Sequence, residues 1–502
     1  MSHEDPRVGA RVSSGPVVRS FPPLSMVVAA VARAEVRGAA TVVPTDVASD
    51  ARAVPTGALF FCVPGERVDG HAFAGEAVEA GASALVVERW LELPVPQVRV
   101  PSVRGAMGPM SAAVFDHPAG AMATVGITGT NGKTTVSYLL ESIFRAAGLV
   151  PGVVGTIGAR VAGSPVELGH TTPEAPELQR LLARMRDAGV TALAMEVSSH
   201  ALTHGRVDGI TFDVAAFTNL SQDHLDFHGT MDEYADAKAR LFTPGLARRG
   251  VVNVEDPTGA RIAATAGIPV TTCGLKAGAA VRATDVAVGR NGITLAIDGE
   301  RFVSPLLGAF NVENVLVAVA SARELGLAPD AITEGVRSLA AVPGRMESVD
   351  AGQGFLLVVD YAHTPDSIRS VLRAARPLST GRVIVVFGCG GDRDRAKRPL
   401  MGEAATTNAD LAIVTSDNPR SEDPEAIVAE ILPGAERGGG AFVVELDRRA
   451  AIARAVGEAG VGDVVVVAGK GHEPVQAFHD RTVPFDDRDV ARAALREAGW
   501  TR

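Results

Sequence analysis

Several things are scarce in this chain, and each scarcity excludes something. Cysteine occurs only at Cys62, Cys273 and Cys389 in 502 residues. Three distant thiols outline neither a disulfide framework nor a metal site. They read as small apolar core residues in a reducing compartment. A basic excess is absent too. The formal net charge is -10, so there is no electropositive footprint for nucleic acid. No apolar run is long enough to span a bilayer, which argues against membrane insertion. The N-terminal stretch carries Glu4 and Asp5 and lacks the continuous apolar segment of a secretory leader. Together these absences point to a cytoplasmic setting. Lysine is sparse beside Arg, Ala, Gly and Val, as in a high-GC composition, and no internal repeat is visible.

What is present is ample material for several cores: 46% of the residues are hydrophobic, and the length implies several domains. The organising stretch is Gly129-Thr130-Asn131-Gly132-Lys133-Thr134-Thr135. It lies between a short apolar run, 123–128, and a helical pattern, 136–147. Strand, glycine-rich turn and helix in that order make a phosphate cradle. Lys133 can reach terminal phosphates and the Thr134 hydroxyl can ligate Mg²⁺. Ile127 stands where the full Walker pattern has glycine, so the loop is a variant.

Residues 1–22 read as a disordered tail and 23–119 as a small α/β unit. That unit is expected to hold a helix at 24–34, strands near 41–43 and 58–63, a helix at 72–80, and strands at 83–87 and 97–100. Its polar loop Gly65 to Gly70 fits a ligand contact and an ordinary surface loop equally well. A second unit, 120–342, begins with the phosphate loop. A strand at 190–195 ends in Glu196, a carboxylate placed to hold Mg²⁺ or to cap a helix. A strand at 214–218 leads into a loop crowded with Asp223, His224, Asp226 and His228. Tyr234 and Lys238 share a face of the helix expected at 231–242. On its own Lys238 reads as a solvated lysine. A hairpin or meander is expected over 281–303, with a turn at 290–292. Asn311 and Asn314 read as caps of a helix at 315–325. A third unit, 343–502, alternates strand and helix as a doubly wound, Rossmann-like parallel sheet. Four of its strands end in loops rich in charged residues.

Eight motifs occur in order: Gly-Thr-Asn-Gly-Lys-Thr-Thr, Glu-Val-Ser-Ser-His, Asp-His-Leu-Asp-Phe-His-Gly, Pro-Gly-Arg-Met-Glu, Asp-Tyr-Ala-His-Thr-Pro-Asp, Gly-Gly-Asp-Arg-Asp, Asp-Asn-Pro-Arg and Gly-Lys-Gly-His-Glu. As a set spanning about 23–498 they resemble the Mur ligases, most closely members that add 2,6-diaminopimelate. The resemblance implies three domains: a small α/β domain for the UDP end of the substrate, a P-loop ATPase-like α/β domain, and a Rossmann-like domain for the incoming amino acid. It also implies ATP-dependent amide formation on UDP-MurNAc-L-Ala-D-Glu through an acyl phosphate; a monomer is expected.

The residue roles it implies follow the motifs. Gly129 to Thr135, Asn311, Arg345 and Asp360 would contact ATP. Lys133, Glu196, His224 and Lys238 would serve the chemistry. Thr134, Glu196, His224 and Lys238 would lie close to two Mg²⁺ ions. Lys238 would carry a CO₂-derived carbamate, the N6-carboxylysine form. Glu66, Arg67, Val68, Thr171, Thr172, Ser198, His204 and Arg206 would hold the nucleotide dipeptide. Arg393, Asp417, Asn418, Pro419, Arg420, Gly469 and Glu473 would hold diaminopimelate. A bidentate arginine suits its far carboxylate, and Glu473 suits its far ammonium. The alternative within the family is an L-lysine-adding ligase, against which Arg420 argues.

Overall fold

The computed structural model describes residues 20–65 and 68–501. The expected tail lies largely outside these residues, as do Glu66 and Arg67. Of the tail's last residues, Phe21 packs onto the N-terminal core.

The chain divides into two compact units. One comprises residues up to Leu220, His224–Arg282 and Val315–Gly335. The other comprises Ser221–Asp223, Ala283–Asn314 and Val336–Arg502.

In the first unit an N-terminal sheet has four parallel strands, Asp46–Ala48, Ala58–Phe61, Ala84–Val87 and Gln97–Arg99. An antiparallel edge strand, Glu35–Arg37, completes it. The expected helix at 24–34 is only Leu24–Val28. Just Leu24 and Val27 of that helix are buried, and Arg33 turns the chain at φ +58°. The strand expected near 41–43 is absent; the strands sit on either side of it. Helix Val103–Val114 falls in a stretch for which no element was expected, and it holds Gly105, Gly108 and Pro109, residue types that ordinarily break helices. Packing overrides them: a Cβ at Gly108 would lie 2.1 Å from the Asp208 carbonyl oxygen. The glycine permits that approach, and the Ser102 side chain caps the helix.

The central sheet of this unit is mainly parallel. Ala123–Thr128 lies between Ala192–Glu196 and Phe212–Phe217, with Pro151–Gly155 and Ala247–Asn253 flanking these. These strands are near-continuous buried apolar runs, as expected for a sheet covered on both faces. Helix Ala175–Asp187 joins the two cores. Ala175 and Ala183 belong to the N-terminal one, and Leu178, Leu182 and Met185 to the central one. Arg180 bonds Asp46 at 2.8 Å across the same seam.

In the second unit five parallel strands run in the order Leu356–Asp360, Val464–Ala468, Val383–Phe387, Leu411–Val414, Ala441–Val444. Alternate residues feed separate cores. Val383, Val385 and Phe387 face one, and Ile384 and Val386 the other. The doubly wound expectation therefore holds. Helix Pro424–Gly438 runs through Pro433 and packs along Lys397–Asn408. The antiparallel meander also appears, as Val281–Gly289, Gly292–Ile297 and Glu300–Ser304. Asn311 and Asn314 are not caps. They lie inside helix Phe310–Glu324, where Asn311 Nδ2 donates to the Leu307 carbonyl and Asn314 Nδ2 to Asn311 Oδ1.

All three cysteines are buried and unbridged. Burial pushes the Cys62 thiol up to about 12 and raises that of Cys389. No helix among the described residues is long and apolar enough to cross a membrane.

Candidate active site

The register of the central sheet builds the first part of the site. Ile127 sits opposite both Glu196 and Ala216, which sets three carboxyl-terminal strand ends side by side. Ile127 is a fully buried strand residue, and the turn starts at Gly129. Gly129 has φ +146°, and a Cβ there would lie 1.9 Å from Thr218 Oγ1. Only glycine fits. Helix Lys133–Ala146 follows, so its N-terminus faces the loop. Thr134 and Thr135 are buried in its first turn.

The loop is held by a strand-end residue that the motifs did not single out. The Thr130 N–H donates to the Asn219 carbonyl at 2.8 Å, and the Asn131 N–H to Asn219 Oδ1 at 3.0 Å. Its signal in the sequence was its position directly after an apolar strand, at the edge where such sheets bind ligands. Lys133 Nζ donates to the Gly129 and Thr130 carbonyls, each at 2.9 Å.

Lys238 is buried, with 1% exposure, which overturns its reading as a solvated lysine. Its Nζ donates to the Gly129 carbonyl at 2.9 Å and lies 4.4 Å from the Tyr234 ring centre. The Tyr234 hydroxyl lies 3.1 Å from Thr130 Oγ1. Around them stand His200, His224, His228 and Phe227. His200 stacks on Phe227 at 4.1 Å and meets His224 edge-on at 4.8 Å. His228 stacks on Tyr234 at 4.8 Å, and its Nε2 lies 2.8 Å from Ser199 Oγ. Burial lowers the pKa of His200 and of His228, favouring neutral imidazoles. His224 is exposed and has φ +53°, an uncommon conformation for a non-glycine residue.

Glu196 is 1% exposed and is satisfied by Thr156, whose N–H donates to Oε1 at 3.1 Å and hydroxyl to Oε2 at 2.9 Å. It caps no helix. Thr156 Oγ1 also lies 3.2 Å from Thr171 Oγ1. Thr172 Oγ1 donates to the Glu196 carbonyl and accepts from the Ser198 N–H. Arg206 reaches the Thr172 carbonyl at 3.1 Å and Glu174 at 2.9 Å. The structure thus brings Thr171, Thr172, Ser198 and Arg206 to one place beside Glu196. His204 lies 5.4 Å from the Phe227 ring. Val68, on the N-terminal loop, is exposed.

The other unit carries a second cluster at the carboxyl edge of its sheet. Asp360 accepts from the Met346 and Ala362 N–H groups at 2.8 and 2.9 Å. Burial raises its pKa, although Arg345 opposes the shift. The Arg345 guanidinium lies over the Tyr361 ring at 4.6 Å. Burial, with Glu473 nearby, pushes the Tyr361 phenol up to about 12.

The loops after Val383–Phe387 and Leu411–Val414 lock together. The Gly391 N–H donates to the Asn418 carbonyl at 2.9 Å, and a Cβ at Gly391 would lie 1.8 Å from the Pro419 carbonyl oxygen. Arg420 has φ +54°, and its Nη1 donates to the Gly391 carbonyl at 2.7 Å. Arg393 is exposed. Asp417 and Asn418 are buried, and Asn418 Nδ2 donates to Glu473 Oε2 at 2.7 Å. Gly469 lies against Asp417. Beneath them Arg448 and Asp487 form a fully buried ion pair.

A phosphate cradle beside a buried carboxylate and a buried lysine can transfer a phosphoryl group. A rigid edge of guanidinium, amide and carboxylate can hold a zwitterionic head group.

Comparison with known proteins agrees with this chemistry. Residues 33–113 match the model described as Mur ligase family, catalytic domain, 127–322 the Mur ligase middle domain, and 344–471 the Mur ligase, glutamate ligase domain. A Geobacillus thermodenitrificans protein named UDP-N-acetylmuramoyl-L-alanyl-D-glutamate–2,6-diaminopimelate ligase is 46% identical over 465 residues, covering 89% of this chain and 94% of its own. A solved structure of an enzyme of the same name superposes with TM-score 0.70 at 34% identity, over 95% of this chain and 99% of that one. The ADP complex of the Thermotoga maritima MurF ligase, at 18% identity and TM-score 0.58, shares the fold. The chain belongs to the Mur ligase family.

Proposed function

We propose that this protein is an ATP-dependent, ADP-forming amide ligase that adds 2,6-diaminopimelate to UDP-MurNAc-L-Ala-D-Glu. The D-Glu γ-carboxylate attacks the γ-phosphorus of ATP, and ADP leaves. The diaminopimelate amino group then attacks the acyl carbon, losing a proton as phosphate departs. A carboxylate is a poor acyl donor, so the phosphoryl group must be installed first.

The observation that carries the reading is the joint presence of two clusters. The phosphate loop stands with Glu196 and Lys238, and the Asn418, Arg420 and Glu473 edge stands on the Rossmann-like sheet. Lys133 holds the transferred phosphate and stabilises charge as it moves. Asn311, Arg345 and Asp360 bind other parts of ATP. Glu66, Arg67, Val68, Thr171, Thr172, Ser198, His204 and Arg206 orient the nucleotide dipeptide. Arg393 and Arg420 take the far carboxylate of diaminopimelate, and Glu473 its far ammonium. Asp417, Asn418, Pro419 and Gly469 shape the walls. The domain boundaries fall near 119/120 and 342/343, in the gaps between the family matches.

The donor set suits Mg²⁺ with one condition. Thr134 and Glu196 offer hard oxygens and His224 an imidazole. No group of three or more His, Cys, Asp or Glu placed to hold a metal ion by themselves occurs among the described residues. Water and phosphate oxygens must therefore complete the coordination, which is usual for this ion. An ammonium at Lys238 would oppose a cation, whereas a carbamate there adds anionic oxygens. Mg²⁺, when bound, neutralises the phosphate charge.

Phosphate release tests the proposal. It should require ATP, the nucleotide dipeptide and diaminopimelate together. Release of equal efficiency with L-lysine would overturn the assignment of the amino acid.

A further inference from the structure

The composition offers a pointer. Only five of the 48 basic side chains are lysines: Lys133, Lys238, Lys276, Lys397 and Lys470. In a chain that uses arginine so heavily, a fully buried lysine argues for a site that needs a compact ammonium. Lys133 and Lys238 belong to the phosphate site, and Lys276 is an exposed partner of Glu255. Lys470 is 0% exposed.

Gly469 (φ +116°) and Gly471 (φ +54°) flank Lys470 and turn it inward. Its Nζ donates to the Val475 carbonyl and lies 3.4 Å from Asn418 Oδ1 and 3.7 Å from Glu473 Oε2. Asn418 Oδ1 also accepts from the Ala477 N–H at 2.9 Å. Two donors on the amide oxygen leave one orientation for that amide, with Nδ2 turned onto Glu473 Oε2 at 2.7 Å. Glu473 Oε2 thus accepts the Asn418 hydrogen bond and pairs electrostatically with Lys470. Oε1 receives a 3.5 Å contact from the Tyr361 hydroxyl.

Charge gives a second, independent reason. The charged groups that act most strongly on Lys470 are Asp417, Arg448, Glu473 and Asp487. With Lys470 the set holds three carboxylates and two cations, a formal charge of minus one. A zwitterionic amino-acid head is neutral and gains nothing from extra negative charge. An L-lysine side chain, with an ammonium and no far carboxylate, gains from it.

We propose that Lys470 is a positioning and specificity-determining residue: it fixes Asn418 and Glu473 for the far ammonium and holds the local charge at the value that favours diaminopimelate over L-lysine. The inference rests on the diaminopimelate reading above.

The test is steady-state kinetics of Lys470→Met with diaminopimelate and with L-lysine. KM for diaminopimelate should rise about tenfold with kcat within about twofold, while kcat/KM for L-lysine stays level or rises. KM for ATP, unchanged, reports an intact fold. Lys470→Gln, which keeps an N–H donor without the charge, should restore much of the diaminopimelate KM but not the discrimination. It serves as the probe if Lys470→Met does not fold. An unchanged diaminopimelate KM, or equal losses with both acceptors, would overturn the proposal while leaving the assigned function intact. A wild-type enzyme that does not use diaminopimelate would overturn the functional reading instead, and this inference with it.

Discussion

Lys133 and Lys238 donate to the same carbonyl oxygen, that of Gly129, each at 2.9 Å. Two ammonium groups on one acceptor repel each other, and Lys238 is almost wholly buried. Carbamylation of Lys238 would remove its charge at nitrogen and add anionic oxygens at its end. The shared carbonyl therefore motivates the modification as well as the phosphate role.

Lys238→Ala is expected to lower kcat by at least about a hundredfold, with partial recovery in small carboxylates such as formate. Wild-type activity should also fall in CO₂-depleted buffer. Full activity of the variant without added carboxylate would exclude the carbamate.

Lys133→Ala should lower kcat by about a thousandfold or more, because the charge that stabilises the transferred phosphoryl group is lost. Thermal melting should stay close to wild type, since Lys133 is only half-buried. Near-normal phosphate release by this variant would refute the assigned role.

Arg420 occupies a left-handed backbone conformation and braces the Gly391 carbonyl. Arg420→Ala should raise KM for diaminopimelate by about tenfold to a hundredfold, the loss of one charge-assisted pairing. KM for ATP should not move. A parallel rise in both constants would point to collapse of the loop rather than loss of a contact.

The Arg448–Asp487 pair has both side chains at 0% exposure, with bonds of 2.8 and 2.6 Å. Arg448→Met should destabilise by about 3–5 kcal/mol, because it strands a buried carboxylate. The double variant Arg448→Met, Asp487→Leu should recover much of that. Denaturant unfolding measures both; a double variant as unstable as the single one would contradict the argument.

The neutral imidazoles of His200 and His228 give a pH dependence of known sign. Burial lowers their folded pKa below the ordinary 6.5. The unfolded chain therefore binds protons first as pH falls. Stability is fully present above the unfolded value and is lost as pH drops from about 7 through the lowered folded values. His228→Gln should flatten the fall in melting temperature between about pH 7 and 5. An identical pH profile in the variant would rule His228 out as a contributor.

Much of this was legible from residues alone. The strand at 123–128 appears with the expected bounds, because an apolar run ending at a glycine-rich turn leaves little choice. The phosphate loop was legible because its glycines, lysine and threonines act within seven residues. The helix expected at 24–34 is the shorter Leu24–Val28, and the long helix Val103–Val114 was not expected. The first ends early: Ala30, Val31 and Ala34 still pack on the core, but as turning chain, with Arg33 at φ +58°. The second has breaker residues that close packing turns to advantage.

Buried charge was the least legible feature. Lys238 looked like a surface lysine, and Lys470 was part of a motif without a role. Their partners are remote: Gly129 lies 109 residues from Lys238, and Asn418 lies 52 residues from Lys470.

The sequence by itself determined the order of strands, loops and helices, the phosphate loop, and the residue types available for binding, since turn chemistry and periodicity act over a few neighbours. Only the tertiary structure decided which of those residues meet. Inserting Val464–Ala468 between Leu356–Asp360 and Val383–Phe387 carries Lys470 to Asn418 and Glu473 to Tyr361. That strand order is set by burying apolar faces distant in sequence, which no local pattern encodes.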